Sequence, residues 1–261
     1  MPLSLPILTF HDIADRSSVI SFPPQIFRRG MAKLHESGYR TLSLIDAANC
    51  LRNDQAFPAR SLVITFDDGY GSVYEKAFPV LQRYGMSATV FLTVGKAENL
   101  DQRLSTLQGR AMLSWSSIRE MLKHGMSFGA HTLTHPDLTH LSLDGITEEV
   151  LGSKDIIENA LGTSVSSFTY PYGRYNNSVR AFVRQHFVCA CSDRLGLIKT
   201  NSDLYALERV DSYYLRTDRL FNLTRTGILP WYIAARAVPR RLRRAIQFRQ
   251  NFRIDQDSQG K

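Results

Sequence analysis

Short apolar runs alternate along this chain with longer segments in which apolar residues recur every three or four positions. The short runs have the length and the β-branched content of buried strands, and the longer segments have the period of amphipathic helices. Strands are predicted at residues 6–12, 61–67, 87–94, 126–132, 167–170 and 187–192. Helices are predicted at residues 23–37, 72–84, 114–124, 142–161 and 177–185, and residues 201–227 are predicted to be less regular.

Strands that alternate with helices indicate an α/β protein with a parallel sheet or a (β/α) barrel. Polar side chains collect where the predicted strands end, at His11, Asp12, Asp67, Asp68, His131 and Tyr172. This is the edge at which (β/α) barrels build their active sites. The chain is therefore predicted to be a single domain over residues 1–228 with a basic C-terminal extension over residues 229–261.

The net charge of +8 is concentrated in that extension. The excess is almost accounted for by seven arginines, which are Arg236, Arg240, Arg241, Arg243, Arg244, Arg249 and Arg253. Because apolar and aromatic residues lie between them, the segment is either a solvated basic tail or a basic amphipathic segment on an anionic membrane surface. No nucleic-acid partner is expected, because no recognition motif accompanies the charge.

Targeting signals and long apolar stretches are not found in the sequence as written. The first residues lack the basic region, apolar core and cleavage site of a secretory signal, and no stretch has the length of a membrane-spanning helix. The expected location is therefore the cytoplasm, at the inner face of the membrane if the basic extension binds there. Three cysteines without a staple-like pattern argue against a disulfide framework.

Two pairs of residues suggest metal-assisted chemistry. Asp67 and Asp68 end an apolar run, and neighbouring side chains of a strand point to opposite faces, so one can hold a metal while the other moves protons. Two imidazoles four residues apart follow at His131 and His135. Aspartates before a glycine also form common turns, and a lone histidine pair is often structural. Together, however, these side chains supply the donors of an open divalent-metal site.

A third element lies at residues 168–173. Pro171 stiffens the exit from a predicted strand, and Gly173 permits a close turn. A backbone N–H in such a rigid loop could face a developing oxyanion, although a simple strand-ending turn explains these residues taken alone.

Three segments resemble the first three motifs of the polysaccharide deacetylase family, also known as the NodB-homology group or carbohydrate esterase family 4. They are TFDDG at 65–69, HTLTH at 131–135 and YPYG at 170–173. The resemblance covers about residues 5–215. It implies a distorted (β/α) barrel and metal-dependent hydrolysis of an N-acetyl, sometimes an O-acetyl, group on a sugar.

The resemblance also implies roles for individual residues. Asp67 is expected to be the general base. The backbone amide of Tyr172 is expected to help form the oxyanion hole, and Tyr172 and Pro171 to contact the sugar. The residues implied to bind the divalent metal are Asp68, His131 and His135. Zinc is the first choice for this donor set, and cobalt, nickel or iron would bind it as well.

Two expected residues of the family pattern are missing. Thr169 stands where the third motif usually carries an arginine, and no histidine after His186 can serve as the usual C-terminal general acid. We assign the acid role to His11, because residues 8–13 are similar to the N-terminal motif of poly-β-1,6-N-acetylglucosamine deacetylases, and the first and last strands of a closed barrel are neighbours. Asp12 is expected to support His11.

Arg209 is the candidate replacement for the missing arginine. It could pair with Asp67 and keep that base ionised. Arg174 is the alternative, because it is closer in sequence to the missing position.

The predicted function is a metal-dependent removal of an N-acetyl group from an amino sugar in a polysaccharide, oligosaccharide or glycolipid. One alternative is removal of a formyl or acetyl group from a lipid-linked sugar at the cytosolic membrane face. The other is a non-catalytic carbohydrate-binding protein on a decayed enzyme scaffold. The four intact residues of the first two motifs argue against decay.

Overall fold

Parallel strands form a closed barrel in the computed structural model, which describes residues 4–95 and 106–239. In chain order the barrel strands are β1 (Ile7–Phe10), β2 (Ser61–Phe66), β3 (Thr89–Leu92), β4 (Ser127–Ala130), β5 (Ser167–Thr169), β6 (Cys189–Leu195) and β7 (Leu207–Asp211). Their spatial order is β1-β7-β6-β5-β4-β3-β2, and β1 also pairs with β2, which closes the ring. The predicted (β/α) barrel is confirmed.

Helices pack on the outer surface of this barrel. They are α1 (Pro24–Glu36), α2 (Leu44–Arg52), α3 (Phe78–Arg83), α4 (Trp115–Lys123), α5 (Leu143–Leu161), α6 (Asn177–His186) and α7 (Asp218–Phe221), and residues 229–239 are also helical. Side chains of Ser114, Ser142 and Asn176 accept hydrogen bonds from the first turns of α4, α5 and α6. These caps explain why the helices begin where polar residues precede an apolar stripe.

Shorter elements complete the described chain. A π-helical turn (Val73–Ala77) leads into α3, and 3₁₀ turns occur at Leu138–His140, Pro171–Gly173, Ser212–Leu215 and Asn222–Arg225. Short strand pairs join Ser4–Leu5 to Ile198–Lys199, Asp12–Ile13 to Ser21–Phe22, and Thr106–Leu107 to Arg110–Ala111, while Arg40–Thr41 extends the sheet beside β2.

Alternation along the strands decides which side chains enter the barrel. In β1 and β2, Leu8 and Ile64 point outward and pack in the core between the barrel and its helices. Ile7 and Val63 point inward and pack in a second core, which also contains residues of α2. Two residues further along, the inward hydroxyls of Thr9 and Thr65 hydrogen-bond at 2.9 Å. With the period of two residues, the next inward positions are His11 and Asp67. The strand pattern therefore aims both side chains into the same end of the barrel.

The predicted elements are present with shifted ends, and the structure adds elements that were not predicted, among them α2, β7, α7 and the helical residues 229–239. The predicted strand 6–12 ends at Phe10, and the predicted helix 72–84 is divided at Phe78, where α3 begins with a proline in its first turn. Strand β7 was missed because charged residues occupy it; one of them, Arg209, points inward because it meets a carboxylate there.

The basic extension is described only in part. Of its seven arginines, Arg236 lies in the helical residues 229–239, and the other six, from Arg240 to Arg253, lie outside the described residues. The helical residues bury Leu229, Ile233 and Ala237 in the main core. Within the described ranges, no helix combines the length and the apolar character needed to cross a membrane.

Candidate active site

A buried ion pair lies at the C-terminal end of β2. Asp67 is 3% exposed, and its two carboxylate oxygens accept hydrogen bonds from Nη1 and Nη2 of Arg209, each at 2.7 Å. The third guanidinium nitrogen, Nε, donates to the carbonyl oxygen of Ser192 at 2.9 Å. Burial raises the pKa of Asp67, but the charge and hydrogen bonds of Arg209 outweigh it, so the net pKa lies below its ordinary value. Asp67 is therefore ionised at neutral pH.

His11 faces this pair from the end of β1. Its Nε2 lies 3.8 Å from Oδ2 of Asp67, which is too long for a hydrogen bond but close enough for both groups to act on one small substrate group. The imidazole is 23% exposed, whereas the Asp67 side chain is 4% exposed. His11 is thus the more accessible of the two groups.

Asp12 is directed away from His11, so the expectation that it supports this histidine is wrong. Its carboxylate accepts hydrogen bonds from the hydroxyls of Ser21 and Ser72 and from Nε of Arg110. The physical reason is the alternation of the strand, which turns adjacent side chains to opposite sides. Asp12 therefore ties together the loops outside β1.

Asp68 and the two predicted histidines form a cluster of metal-ligand type. Nε2 of His131 and Nε2 of His135 lie 3.4 and 3.5 Å from Oδ1 of Asp68, and one donor atom from each residue lies within 4.8 Å of the others. Nδ1 of His131 is 2.8 Å from the carbonyl oxygen of Thr169. Because a carbonyl only accepts, Nδ1 carries the proton and Nε2 presents its lone pair to the cluster.

The chemistry of this donor set fits a divalent metal ion. Two imidazole nitrogens and one carboxylate oxygen are the three-ligand pattern of catalytic zinc sites, which leave a position for water. Burial and the neighbouring His131 lower the pKa of His135 to about 4, so its imidazole is neutral near pH 7 and can donate a lone pair.

One residue that sequence reasoning missed supports this cluster. Glu149, on α5, is 5% exposed and accepts hydrogen bonds from the backbone N–H groups of Leu133 and Thr134, each at 2.9 Å. A signal for it existed in the sequence. Glu149 lies within the apolar stripe of α5, beside Ile146 and Val150, where an unpaired carboxylate would be costly.

The third motif forms a tight loop beside the metal-ligand cluster. Tyr172 has a positive φ of 57°, its ring meets that of His135 edge to face with centroids 4.6 Å apart, and its side chain is 56% exposed. A Cβ on Gly173 would lie 2.2 Å from Cβ of Asp193, so only glycine fits this turn. Pro171 is buried and is not among the residues that line the cavity, which does not match its predicted contact with the sugar.

A cavity of about 530 Å³ joins these groups. Its lining includes every predicted site residue except Pro171, namely His11, Asp67, Asp68, His131, His135, Tyr172 and Arg209. Its outer wall adds aromatic and aliphatic side chains that the sequence did not single out, Val19, Ile20, Tyr213 and Tyr214. The cavity therefore combines an ionised carboxylate, an imidazole and a metal-ligand cluster with an apolar wall.

Comparisons with known proteins agree with this arrangement. The family model described as polysaccharide deacetylase matches residues 54–188. YxkH of Bacillus subtilis (strain 168), which is named as a polysaccharide deacetylase, is 33% identical over 210 residues that cover 80% of this chain and 71% of that protein. A Staphylococcus aureus (strain N315) poly-beta-1,6-N-acetyl-D-glucosamine N-deacetylase is 32% identical over 138 residues, which cover 46% of this chain and 43% of that protein.

Solved structures share the barrel. The Streptococcus pyogenes deacetylase PplD, solved in complex with acetate, superposes with a TM-score of 0.77 at 27% identity and covers 87% of this chain and 100% of its own. IcaB from Ammonifex degensii superposes with a TM-score of 0.70 at 22% identity, over 86% of this chain and 98% of its own, which shows a common fold.

These matches bear on the expected activity. They support a deacetylase enzyme, and they give no support to a lipid-linked deformylase or to a non-catalytic binding scaffold. The family match over residues 54–188 and the similarity to YxkH over most of both chains show that this chain belongs to the polysaccharide deacetylase family.

Proposed function

We propose that this protein is a metal-dependent N-deacetylase that hydrolyses N-acetyl groups on the amino sugars of a polysaccharide, oligosaccharide or glycolipid. The observation that carries the proposal is the single cavity lined by an ionised Asp67 and by the cluster of Asp68, His131 and His135. Amide hydrolysis needs a base for the attacking water and an acid for the leaving amine. The cavity offers a candidate for each.

The residues proposed to hold the metal are Asp68, His131 and His135, and zinc is the first choice. Cobalt, nickel and iron accept the same nitrogen and oxygen donors. These residues would hold a divalent ion that would supply Lewis-acid chemistry, polarising the acetyl carbonyl and increasing the acidity of water. Thr169 fixes the tautomer of His131 through its carbonyl oxygen, so the ligand nitrogen faces the cluster.

Asp67 is proposed to take the proton from the attacking water. Its low pKa keeps the carboxylate ionised and ready to accept, and the two hydrogen bonds from Arg209 fix its orientation. His11 is proposed to give a proton to the departing amine, because an amide anion is a very poor leaving group. Its Nε2 lies 3.8 Å from Asp67, so acid and base are both within reach of one tetrahedral carbon and its substituents.

The backbone amide of Tyr172 is proposed to donate to the developing oxyanion. The rings of Tyr172 and Tyr213 are 56% and 46% exposed and line the cavity, which suits stacking against sugar rings. PplD was solved with acetate, and the Staphylococcus aureus relative is named for N-acetylglucosamine polymers. These two names favour an N-acetylglucosamine substrate for this chain.

The proposal is tested by metal removal and replacement. Wild-type protein is stripped with a chelator, reloaded separately with zinc, cobalt, nickel or iron, and incubated with β-1,4- and β-1,6-linked N-acetylglucosamine oligomers. We expect acetate release that is lost on chelation and restored by at least one of these ions. Release at the same rate from the stripped protein would contradict metal dependence.

We also propose that the protein works beside an anionic membrane surface, which its C-terminal helical residues contact. One face of residues 229–239 is buried in the core, at Leu229, Ile233 and Ala237. The other side leaves the large apolar side chains of Trp231 (79%) and Val238 (52%) exposed, and Ile228 (59%), just before the helical residues, is exposed as well. Which face of the membrane is involved stays a prediction.

Charge favours a lipid surface as the partner of this exposed stripe. Residues 219–254 contain nine arginines and no aspartate or glutamate. An exposed tryptophan among cations suits the headgroup region, where its ring is half-buried and anionic lipids attract the arginines. Tyr232 ties the helix to the cavity, since its hydroxyl donates to the carbonyl oxygen of Tyr214 at 2.8 Å, and Tyr214 lines the cavity wall.

Vesicle sedimentation tests the membrane contact. We expect the full chain to bind vesicles that contain phosphatidylglycerol and not vesicles of phosphatidylcholine alone. Trp231→Ser is expected to weaken binding, whereas Leu143→Ser, at another exposed apolar position (64%) on α5, is expected to leave it unchanged. If wild type and Trp231→Ser bind the vesicles equally, the result counts against a lipid surface. The same holds if a soluble polyanion by itself displaces all of the bound protein from the vesicles.

A further inference from the structure

The loop from His131 to His135 has an unfavourable backbone conformation that contacts with other segments must stabilise. Thr132 and His135 have positive φ angles of 70° and 61°, a region that residues with side chains avoid. The loop is braced on one side by the end of β3, where Gly95 N–H donates to the carbonyl oxygen of Leu133 at 2.7 Å. Within the loop, His135 N–H donates to Oγ1 of Thr132 at 3.0 Å.

On the other side, one carboxylate collects three donors of this loop. Oε2 of Glu149 accepts from the N–H groups of Leu133 and Thr134, and Oε1 accepts from the hydroxyl of Thr134 at 2.7 Å. An ionised carboxylate only accepts, so both of its oxygens suit this ring of donors. A glutamine of the same shape would present a neutral oxygen to the two N–H groups, so the charge that strengthens these hydrogen bonds would be lost.

Helix α5 is shaped to bring this carboxylate close. One turn beyond Glu149, a Cβ on Gly152 would lie 3.0 Å from Cδ1 of Leu133, so the missing side chain makes room for that leucine. Leu133 is 5% exposed in the resulting contact. Helix α5 therefore holds the loop at two places, the backbone N–H groups of Leu133 and Thr134 and the apolar side chain of Leu133.

We propose that Glu149 is a positioning residue that sets the separation of the His131 and His135 imidazoles, and thereby the affinity of the site for its metal. The inference rests on the proposed metal-dependent function. The His131 ring is fixed independently by the carbonyl of Thr169. The His135 ring sits at the far end of the loop that Glu149 holds, so its distance from His131 follows the conformation of that loop.

Metal binding by the stripped, full-length protein tests this role without any substrate. The dissociation constants for zinc and cobalt are measured by competition with a chromophoric chelator for wild type, Glu149→Gln and the control Glu148→Gln, which alters the exposed neighbour on the same helix. We expect Glu149→Gln to weaken binding about tenfold or more, as is usual for residues that orient metal ligands, and Glu148→Gln to bind as wild type does. Saturating metal is expected to restore kcat with KM unchanged.

A folded Glu149→Gln that binds zinc as tightly as wild type would overturn the inference. If that variant does not fold by circular dichroism, Thr134→Val replaces it, because it removes the hydroxyl bond and keeps the two amide bonds; unchanged zinc affinity there would overturn the inference equally. Wild-type protein that binds no divalent ion would defeat both this inference and the proposed function. Tight binding without acetate release would defeat the proposed function alone.

Discussion

Replacing Arg209 with methionine removes the guanidinium that pairs with Asp67 while keeping much of the side-chain volume. Both partners are buried, at 6% and 3% exposure, and two hydrogen bonds of 2.7 Å join them. The substitution leaves a carboxylate in the barrel interior without its counter-ion. Removing one partner of such a pair costs about 3–5 kcal/mol of unfolding free energy, and two charge-assisted hydrogen bonds of about 1.5–3 kcal/mol each give a similar sum.

The cost is expected to depend on pH with a defined sign. In wild type the pKa of Asp67 lies below its ordinary value of 3.8, so the pair stabilises fully above that value and loses its effect as the pH falls through the lower folded pKa. In Arg209→Met the main opposing contribution is gone and only the smaller ones of His11 and His131 remain, so burial is expected to raise the pKa of Asp67. The ionised carboxylate then destabilises the protein at neutral pH, and the variant recovers stability as the pH falls through the raised pKa.

Urea denaturation of wild type, Arg209→Met, Asp67→Asn and the double variant measures the coupling of the pair at about pH 7.5 and about pH 5. We expect a large coupling free energy between Arg209 and Asp67 at the higher pH and a smaller one at the lower pH. Arg29 and Asp218 form a control, since their side chains also make a two-bond pair, through Nε and Nη2, while 49% and 44% exposed. Their coupling free energy is expected to be far smaller. Equal coupling in the two pairs, or no change with pH, would refute the reasoning.

Two further substitutions test the site. His11→Gln is expected to lower kcat about a hundredfold or more, with KM and stability little changed, because it removes the proposed proton donor; near-normal acetate release, judged against His186→Gln, would sink that role. Gly173→Ala is expected to cost more unfolding free energy than Gly162→Ala, because both have left-handed φ angles (63° and 65°) but only Gly173 would push its new Cβ against Asp193. Equal denaturation midpoints for the two alanine variants would contradict the close approach.

The sequence was sufficient for the barrel and for most of the site because both depend on local patterns. Apolar runs with polar ends identified the strands and the edge at which Asp67 and His131 lie. Alternation along β2 separates Asp67 from Asp68, but which of the two points inward is known only from Val63 and from the bond between Thr9 and Thr65 in the folded barrel. The strand positions and their polar ends, by contrast, need no knowledge of which strands become neighbours.

What could not be predicted depends on contacts between distant segments. Strand β7 has charged residues and resembles a loop in sequence, because the partner that makes Arg209 an inward residue lies 142 positions away. Alternation along the strand turns Asp12 away from His11, but its partners Ser72 and Arg110 come from distant segments and could not be predicted. The position of Glu149 in the apolar stripe of α5 marks it as unusual, but only the fold shows the loop that it holds.

The most direct test of the central claim is acetate release from N-acetylglucosamine oligomers by metal-loaded wild type and Asp67→Asn, with Asp144→Asn as a control at an exposed carboxylate of α5. Metal content and circular dichroism of each protein are measured in the same preparations. The account predicts release by wild type and Asp144→Asn, and a loss of about a hundredfold or more in Asp67→Asn with its metal still bound. If a folded, metal-loaded Asp67→Asn releases acetate at the wild-type rate, Asp67 is not the base of this site.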